Sequence, residues 1–382
     1  MRFIGLKTLK LGIALGALVA LTPGVAEADA LSTPAMAGPL AANPNPFSFD
    51  SGFGNIYVSG AISGIGFYQS NAQHLAPGDA DSYLDLANAQ IAVQKTDGLI
   101  QFYIQAGEYA LPALGVSYLK SSSNTADTFG AVPVAYLKIA PTSSFSVEAG
   151  KLPALIGSEY NFTFENMNIE RGLMWYQEPG VSRGVQANYA EGPFSVSVSL
   201  NDGYYSDRLN WLTGVASYAI DSENTITVSG GANLGSTDYA TFTAPHNVNN
   251  GELFDLIYTY ASAPWAINPY VQYQHVPASA TLGLTDGTEW GFGVLASYSV
   301  TPEISVTGRA EYETSSGSDS LLLYGPKSKA WSLTLTPTWQ HKLFFVREEL
   351  SYTGLSDQSF GFGSGLDKDN QFRAVLEAGV VF

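Results

Sequence analysis

WSLTLTPTWQ, residues 331–340, decides the fold class. Trp331, Leu333, Leu335, Pro337 and Trp339 fall on one side of an extended chain, and Ser332, Thr334, Thr336, Thr338 and Gln340 on the other. Side chains of a strand alternate with period two, so one face is apolar and the other polar. Trp331 and Trp339 stand eight residues apart, about 26 Å along a strand. At the roughly 40° tilt of membrane strands this is about 20 Å of height, close to the apolar band of an outer-membrane barrel. A soluble sandwich also alternates; the aromatic residues at both ends of the apolar face favour the membrane. Pro337 lacks an N–H donor, which predicts a strand end or bulge there.

The pattern repeats outward from this strand. Phe194, Val196, Val198 and Leu200 alternate with Ser195, Ser197, Ser199 and Asn201. Ile304 to Tyr312 alternate with Ser305, Thr307, Arg309, Glu311 and Glu313. Phe372, Ala374, Leu376, Ala378, Val380 and Phe382 oppose Gln371, Arg373, Val375, Glu377 and Gly379. Sixteen strands are predicted between residues 54 and 382, with fourteen to eighteen admissible because strands one, two and six alternate poorly. Seven short turns and eight longer connections separate them, the asymmetry of a bacterial up-and-down barrel with both ends in the periplasm. An open sheet would leave unpaired backbone in lipid, so the barrel must close. At sixteen strands side chains no longer fill the interior, which implies an aqueous channel.

Composition agrees. Charged residues are 13% of the chain and hydrophobic residues 45%, against about 25% charged in soluble domains. Residues 1–30 read as an export signal: Arg2, Lys7 and Lys10, then apolar Leu11 to Val25, then Ala26-Glu27-Ala28 and Ala28-Asp29-Ala30 as cleavage sites. Removing them takes three positive and two negative charges and moves the net charge from −17 to −18. That balance excludes nucleic-acid binding and favours cations near the surface. Residues 31–53, with Pro34, Pro39, Pro44 and Pro46, read as a flexible periplasmic linker. There is no Cys, so neither a disulfide nor a lipid-anchored N-terminus is expected.

The longest connection, Leu152 to Gly180, mixes Phe162, Phe164, Met167, Met174, Trp175 and Tyr176 with Glu159, Glu165, Glu170, Arg171 and Glu178. Such an aromatic-acidic loop is expected either to fold into the bore and constrict it or to pack outside as a lid. Arg309, Arg347 and Arg373 fall on inward faces at mid-height of one wall arc, beside Glu311, Glu349 and Glu377. They are expected to set a transverse field against the loop's carboxylates, or to pair among themselves. Glu348 falls on the apparent lipid face, where a charge is costly, so either a bulge or a register error is implied there.

Gly150-Lys151-Leu152-Pro153, Gly157-Ser158-Glu159, Asn166, Arg171 and Pro179-Gly180-Val181-Ser182-Arg183-Gly184 resemble the OmpL-like family of β-barrel porins, most sharply over residues 130–205. The resemblance implies an outer-membrane porin and no catalytic residue. Asp79, Asp81 and Asp85 in the first loop could bind calcium, though a solvated acidic loop is the plainer reading. His74, His246, His275 and His341 are scattered and lack metal spacing. The expected function is passive diffusion of small hydrophilic solutes with weak cation preference; an adhesin or a barrel enzyme are the alternatives. No cofactor or metal is expected. Expected partners are solutes and ions, outer-membrane lipid, further copies in a homotrimer, and the barrel assembly machinery, which would read the strand that carries Phe382.

Overall fold

The computed structural model describes residues 36–74 and 79–382. The export signal and the first five linker positions lie outside the described residues. The strands are β1 (Phe47–Asp50), β2 (Asn55–Gln69), β3 (Ser82–Lys95), β4 (Ile100–Tyr109), β5 (Val134–Ile139), β6 (Phe145–Pro153), β7 (Val181–Glu191) and β8 (Phe194–Asn201). They continue with β9 (Trp211–Ala219), β10 (Asn224–Asn233), β11 (Glu252–Ser262), β12 (Trp265–Val276), β13 (Gly287–Ser299), β14 (Ile304–Gly317), β15 (Lys329–His341), β16 (Phe344–Ser356) and β17 (Asn370–Val381).

From β2 to β17 every strand pairs antiparallel with its chain neighbours, and β17 closes on β2 from Arg373↔Gln69 to Val381↔Ala61. The result is a sixteen-stranded closed barrel, as the alternation predicts. The seam extends one residue further: Phe382 N–H donates to Gly60 O at 2.9 Å and Gly60 N–H to Phe382 O at 2.8 Å. The Phe382 ring lies over Gly60, where an added Cβ would stand 2.6 Å from its Cζ and 2.5 Å from Gln90 O. Only glycine admits this approach.

The two faces sort by polarity. On β15, Trp331, Leu333, Leu335 and Trp339 are exposed outward, while Ser332, Thr334, Thr336 and Thr338 are buried inward. Outward aromatic residues cluster in pairs such as Trp331–Tyr352, Trp265–Tyr298 and Tyr273–Trp290. Pro337 sits within β15, not at its end. The ladder to β16 is interrupted there, passing from Leu335↔Leu350 to Thr338↔Arg347. Glu348 keeps its outward register opposite Leu376, beside that interruption. The poor alternation of the second barrel strand has a local cause: a bulge opposite Ser63/Gly64 shifts β3, burying both Ala87 and Asn88.

Part of the stretch read as a linker is packed. Met36 and Leu40 are buried with Phe162, Phe164, Tyr109 and Phe345. Ala37 N–H donates to Glu165 O at 2.7 Å, and Ala41 exchanges two hydrogen bonds with the Gln340 side chain. The chain then forms β1, which pairs with the start of β2.

Replacing Gly60 with Val is expected to lower the barrel's unfolding free energy, read by urea titration, by the ~1–3 kcal/mol of an overpacked contact. An unchanged midpoint would show that the Phe382 seam tolerates a side chain.

Candidate functional site

The connection between β6 and β7, here the third loop, lies inside the barrel. Its path is fixed by inward side chains of β14, β15, β16 and β17. Arg309 on β14 donates through Nη1 to Glu159 Oε1 at 2.7 Å and to Glu170 O at 2.7 Å. Glu311, two residues on, accepts the backbone N–H groups of Leu173 and Met174 and the Ser332 hydroxyl. Its Oε2 also faces Arg309 Nε at 3.3 Å.

Arg347 on β16 donates to three loop carbonyls, those of Thr163, Asn166 and Met167, at 2.8–2.9 Å. Glu349 on the same face accepts N–H from Ile169 at 2.5 Å and from Glu170. Arg373 on β17 pairs with Glu170 Oε1 at 2.7 Å and reaches the second loop through Ala113 O and Val116 O. Glu377 accepts from Thr163, Ser63 and Asn88 and stands 3.7 Å from Arg347.

Alternation dictates this arrangement. Arg309/Glu311, Arg347/Glu349 and Arg373/Glu377 are two or four residues apart on β14, β16 and β17, so each pair shares an inward face. Acid and base on one face supply both acceptors for loop N–H groups and donors for loop carbonyls. A loop inside a barrel must satisfy its backbone in this way, since an unpartnered buried polar group costs ~1–3 kcal/mol. Gly172 marks the closest approach: a Cβ there would meet Glu311 Oε1 at 2.0 Å and Glu159 Oε2 at 2.8 Å.

Sequence and structure differ over the field. A basic wall facing an acidic loop across open space is one expectation; the groups instead pair directly, and Arg309, Arg347, Glu170 and Glu349 are buried. Three loop residues lie outside this network. Arg171 turns to the second loop, donating through Nε and Nη2 to Pro112 O. Glu178 accepts from Gln272 of β12 at 3.1 Å. Glu165 accepts the Phe162 N–H at 3.3 Å and meets the Met36–Leu40 stretch through its carbonyl. Burial pushes the Glu165 carboxyl up from 4.5 to about 8.

The loops at this end pack on one another. Leu114, Leu173, Leu322, Tyr324 and Phe362 form one buried cluster; Tyr204, Trp211, Val248, Val276 and Leu321 form another. Asp85 accepts from Tyr118 and Ser121, and Asp81 lies 3.2 Å from His74. Among the described residues no three such side chains converge as metal ligands. Three further inward carboxyls, Asp255, Glu289 and Glu313, were not singled out in the sequence, although alternation placed Glu313 on the polar face. Their strand positions were visible, but nothing marked them as unpaired.

Two outcomes follow. Gly172→Ala should expel the loop backbone from the wall carboxylates and cost the ~1–3 kcal/mol of an overpacked contact in unfolding free energy, read by urea titration. A cost within error of zero would contradict the contact. For Glu165, the folded carboxyl holds its proton to about pH 8, whereas the unfolded one loses it near pH 4.3. Stability contributed by the neutral carboxyl is therefore complete at low pH and falls between those values as pH rises. The parent should lose stability from pH 5 to 8.5 relative to Glu165→Gln; parallel profiles would place Glu165 in water.

A family model described as "Putative beta-barrel porin-2, OmpL-like" matches residues 55–382. No curated protein matches the chain. Among solved structures, OmpT of Vibrio cholerae superposes with a TM-score of 0.59 at 12% identity, covering 88% of this chain and 100% of that one. The outer-membrane channel DcaP of Acinetobacter baumannii gives 0.59 at 13%, covering 87% and 99%. An anion-selective porin from Comamonas acidovorans gives 0.58 at 11%, covering 86% and 99%. These likenesses are of fold. With the family model spanning the whole barrel, the chain belongs to the OmpL-like β-barrel porin family of outer-membrane porins.

Proposed function

We propose that this porin is a narrow, passive diffusion channel for small hydrophilic solutes and ions, with the third loop setting the bore. The observation that carries the reading is the attachment of that loop to inward side chains of β14, β15, β16 and β17. A loop held on that many strands of one wall stays in the lumen while solutes pass. The Met36–Leu40 stretch narrows the lumen further from the short-turn end, where Gln340 holds Ala41.

Weak cation preference is part of the reading. Besides Glu165, which holds its proton, the third loop and inward strand faces bury ten carboxyls: Glu148, Glu159, Glu170, Glu178, Asp255, Glu289, Glu311, Glu313, Glu349 and Glu377. Only Arg171, Arg309, Arg347 and Arg373 are buried there to balance them. An excess of one sign in a low-dielectric passage concentrates counter-ions. The exposed outer band would face lipid. A trimer form is known for V. cholerae OmpT, and the same assembly is proposed here. Residues 1–30 would be removed on export, and the last strand with Phe382 would be read by the assembly machinery.

Single-channel recording of the mature protein in planar bilayers is expected to show a persistent ohmic pore. Deleting about fifteen residues from the middle of the third loop should raise its conductance severalfold. A folded barrel with no conductance would overturn the pore; an unchanged conductance after the deletion would overturn the constriction.

A further inference from the structure

The inward faces of β11–β14 carry Glu289 and Glu313, which the loop attachment does not use, and Asp255, whose Oδ2 takes the Gly157 N–H at 2.9 Å and the Ser229 hydroxyl at 3.1 Å while its Oδ1 stays free. Near the long-loop ends of these strands, Asp255 pairs across the ladder with Gln272, and Gln274 with Glu289. Glu313 opposes Gly291, one diagonal step from Glu289. Glu178 reaches in from the third loop. None of these four carboxyls has an ion-pair partner among the described residues.

Donors are missing as well. Tyr204 donates its hydroxyl proton to Gln177 O at 2.9 Å, so it accepts from Gln274 Nε2 at 3.1 Å. The Gln274 amide is thereby fixed with its oxygen turned away from Tyr204. Gln272 Nε2 is committed in the same way to Glu178, a pure acceptor when ionised. This leaves Oε1 of both glutamines, both oxygens of Glu289, Oε1 of Glu313 and Oδ1 of Asp255 buried without partners. Glu289 and Gln272 are 0% exposed.

Buried carboxyls with no basic neighbour are neutral only by holding protons, and a cation entering among them can displace those protons and take their place. A bare hard metal needs its oxygens to converge at 2.0–2.6 Å, and no three carboxyl or imidazole groups here do so among the described residues. Neighbouring strands lie about 4.8 Å apart, so the row from β11 to β14 extends about 14 Å. A cation with several separated N–H donors spans such a row. We propose that Asp255, Gln272, Gln274, Glu289 and Glu313 form a subsite for organic cations bearing ammonium or guanidinium groups. It rests on the pore reading for its place on a solute path, though not for binding itself. Tyr204 and Glu178 cover the row from loops, so admitting a ligand requires loop side chains to move and leaves the wall intact.

The test is calorimetric titration of the folded, detergent-solubilised protein with agmatine, which carries a guanidinium at one end and an ammonium at the other. Binding is expected, and Asp255→Asn with Glu289→Gln should weaken it at least about tenfold, as loss of a charge-assisted hydrogen bond does. Glu348→Gln, on the outer face, should leave it unchanged. Glu289→Gln alone serves if the double variant fails to fold. No binding to the parent, or equal binding to parent and inward variants, overturns the subsite. So does binding of calcium, and not agmatine, that depends on Glu289. Bilayer recording separates the two claims: binding without conductance sinks the pore and leaves the subsite, whereas conductance without binding does the reverse.

Discussion

Backbone N–H and C=O groups have no water to bond in the bilayer core, and everything in this molecule follows from where they find partners. On the outside the answer is closure: β17 returns to β2, and Phe382 and Gly60 complete the seam. On the inside the same demand falls on the third loop. Its turns are too irregular to satisfy themselves, so the wall supplies the partners. Arg347 takes three carbonyls, while Glu311 and Glu349 take four N–H groups between them. The charges of the lumen are thus structural before they are selective.

This changes how the arginine arc acts. Arginines facing an acidic loop across water would polarise passing ions. Paired and buried, each costs several kcal/mol of desolvation that its partners offset, and removing one partner leaves a buried charge costing ~3–5 kcal/mol. Under the proposed cation preference, selectivity falls to carboxyls that no arginine pairs with. These lie on β11–β14, an arc that meets the arginines at β14, where Arg309 and Glu313 share one inward face.

Much of the fold was legible because a membrane strand writes its two environments in alternate letters. The predicted strands differ from the observed ones by no more than about four residues at either end, the spread expected for boundaries. The largest shifts fall at Val134, Gly317 and Ser356, where the alternation predicts a start at 130 and ends at 313 and 352 and the strands meet long loops. Inward Arg309, Arg347 and Arg373 were legible for the same reason. Their partners were not, since spacing along a strand carries no record of a loop crossing the bore. The Pro-rich stretch before β1 hid Met36 and Leu40, two apolar residues too few to make a pattern. Asp255 and Glu289 stood in plain alternation, but a missing donor is a property of three dimensions.

The third loop rests on the inner wall. Asn168 Nδ2 donates to Thr336 Oγ1 at 2.7 Å, and the chain has no cysteine. Asn168→Cys with Thr336→Cys, oxidised in the folded barrel, measures that placement directly. Disulfide formation should be near-complete and single-channel conductance equal to the parent's, because the tether fixes the loop where it already lies. Two thiols that stay free and reactive would place the loop away from the wall and contradict it.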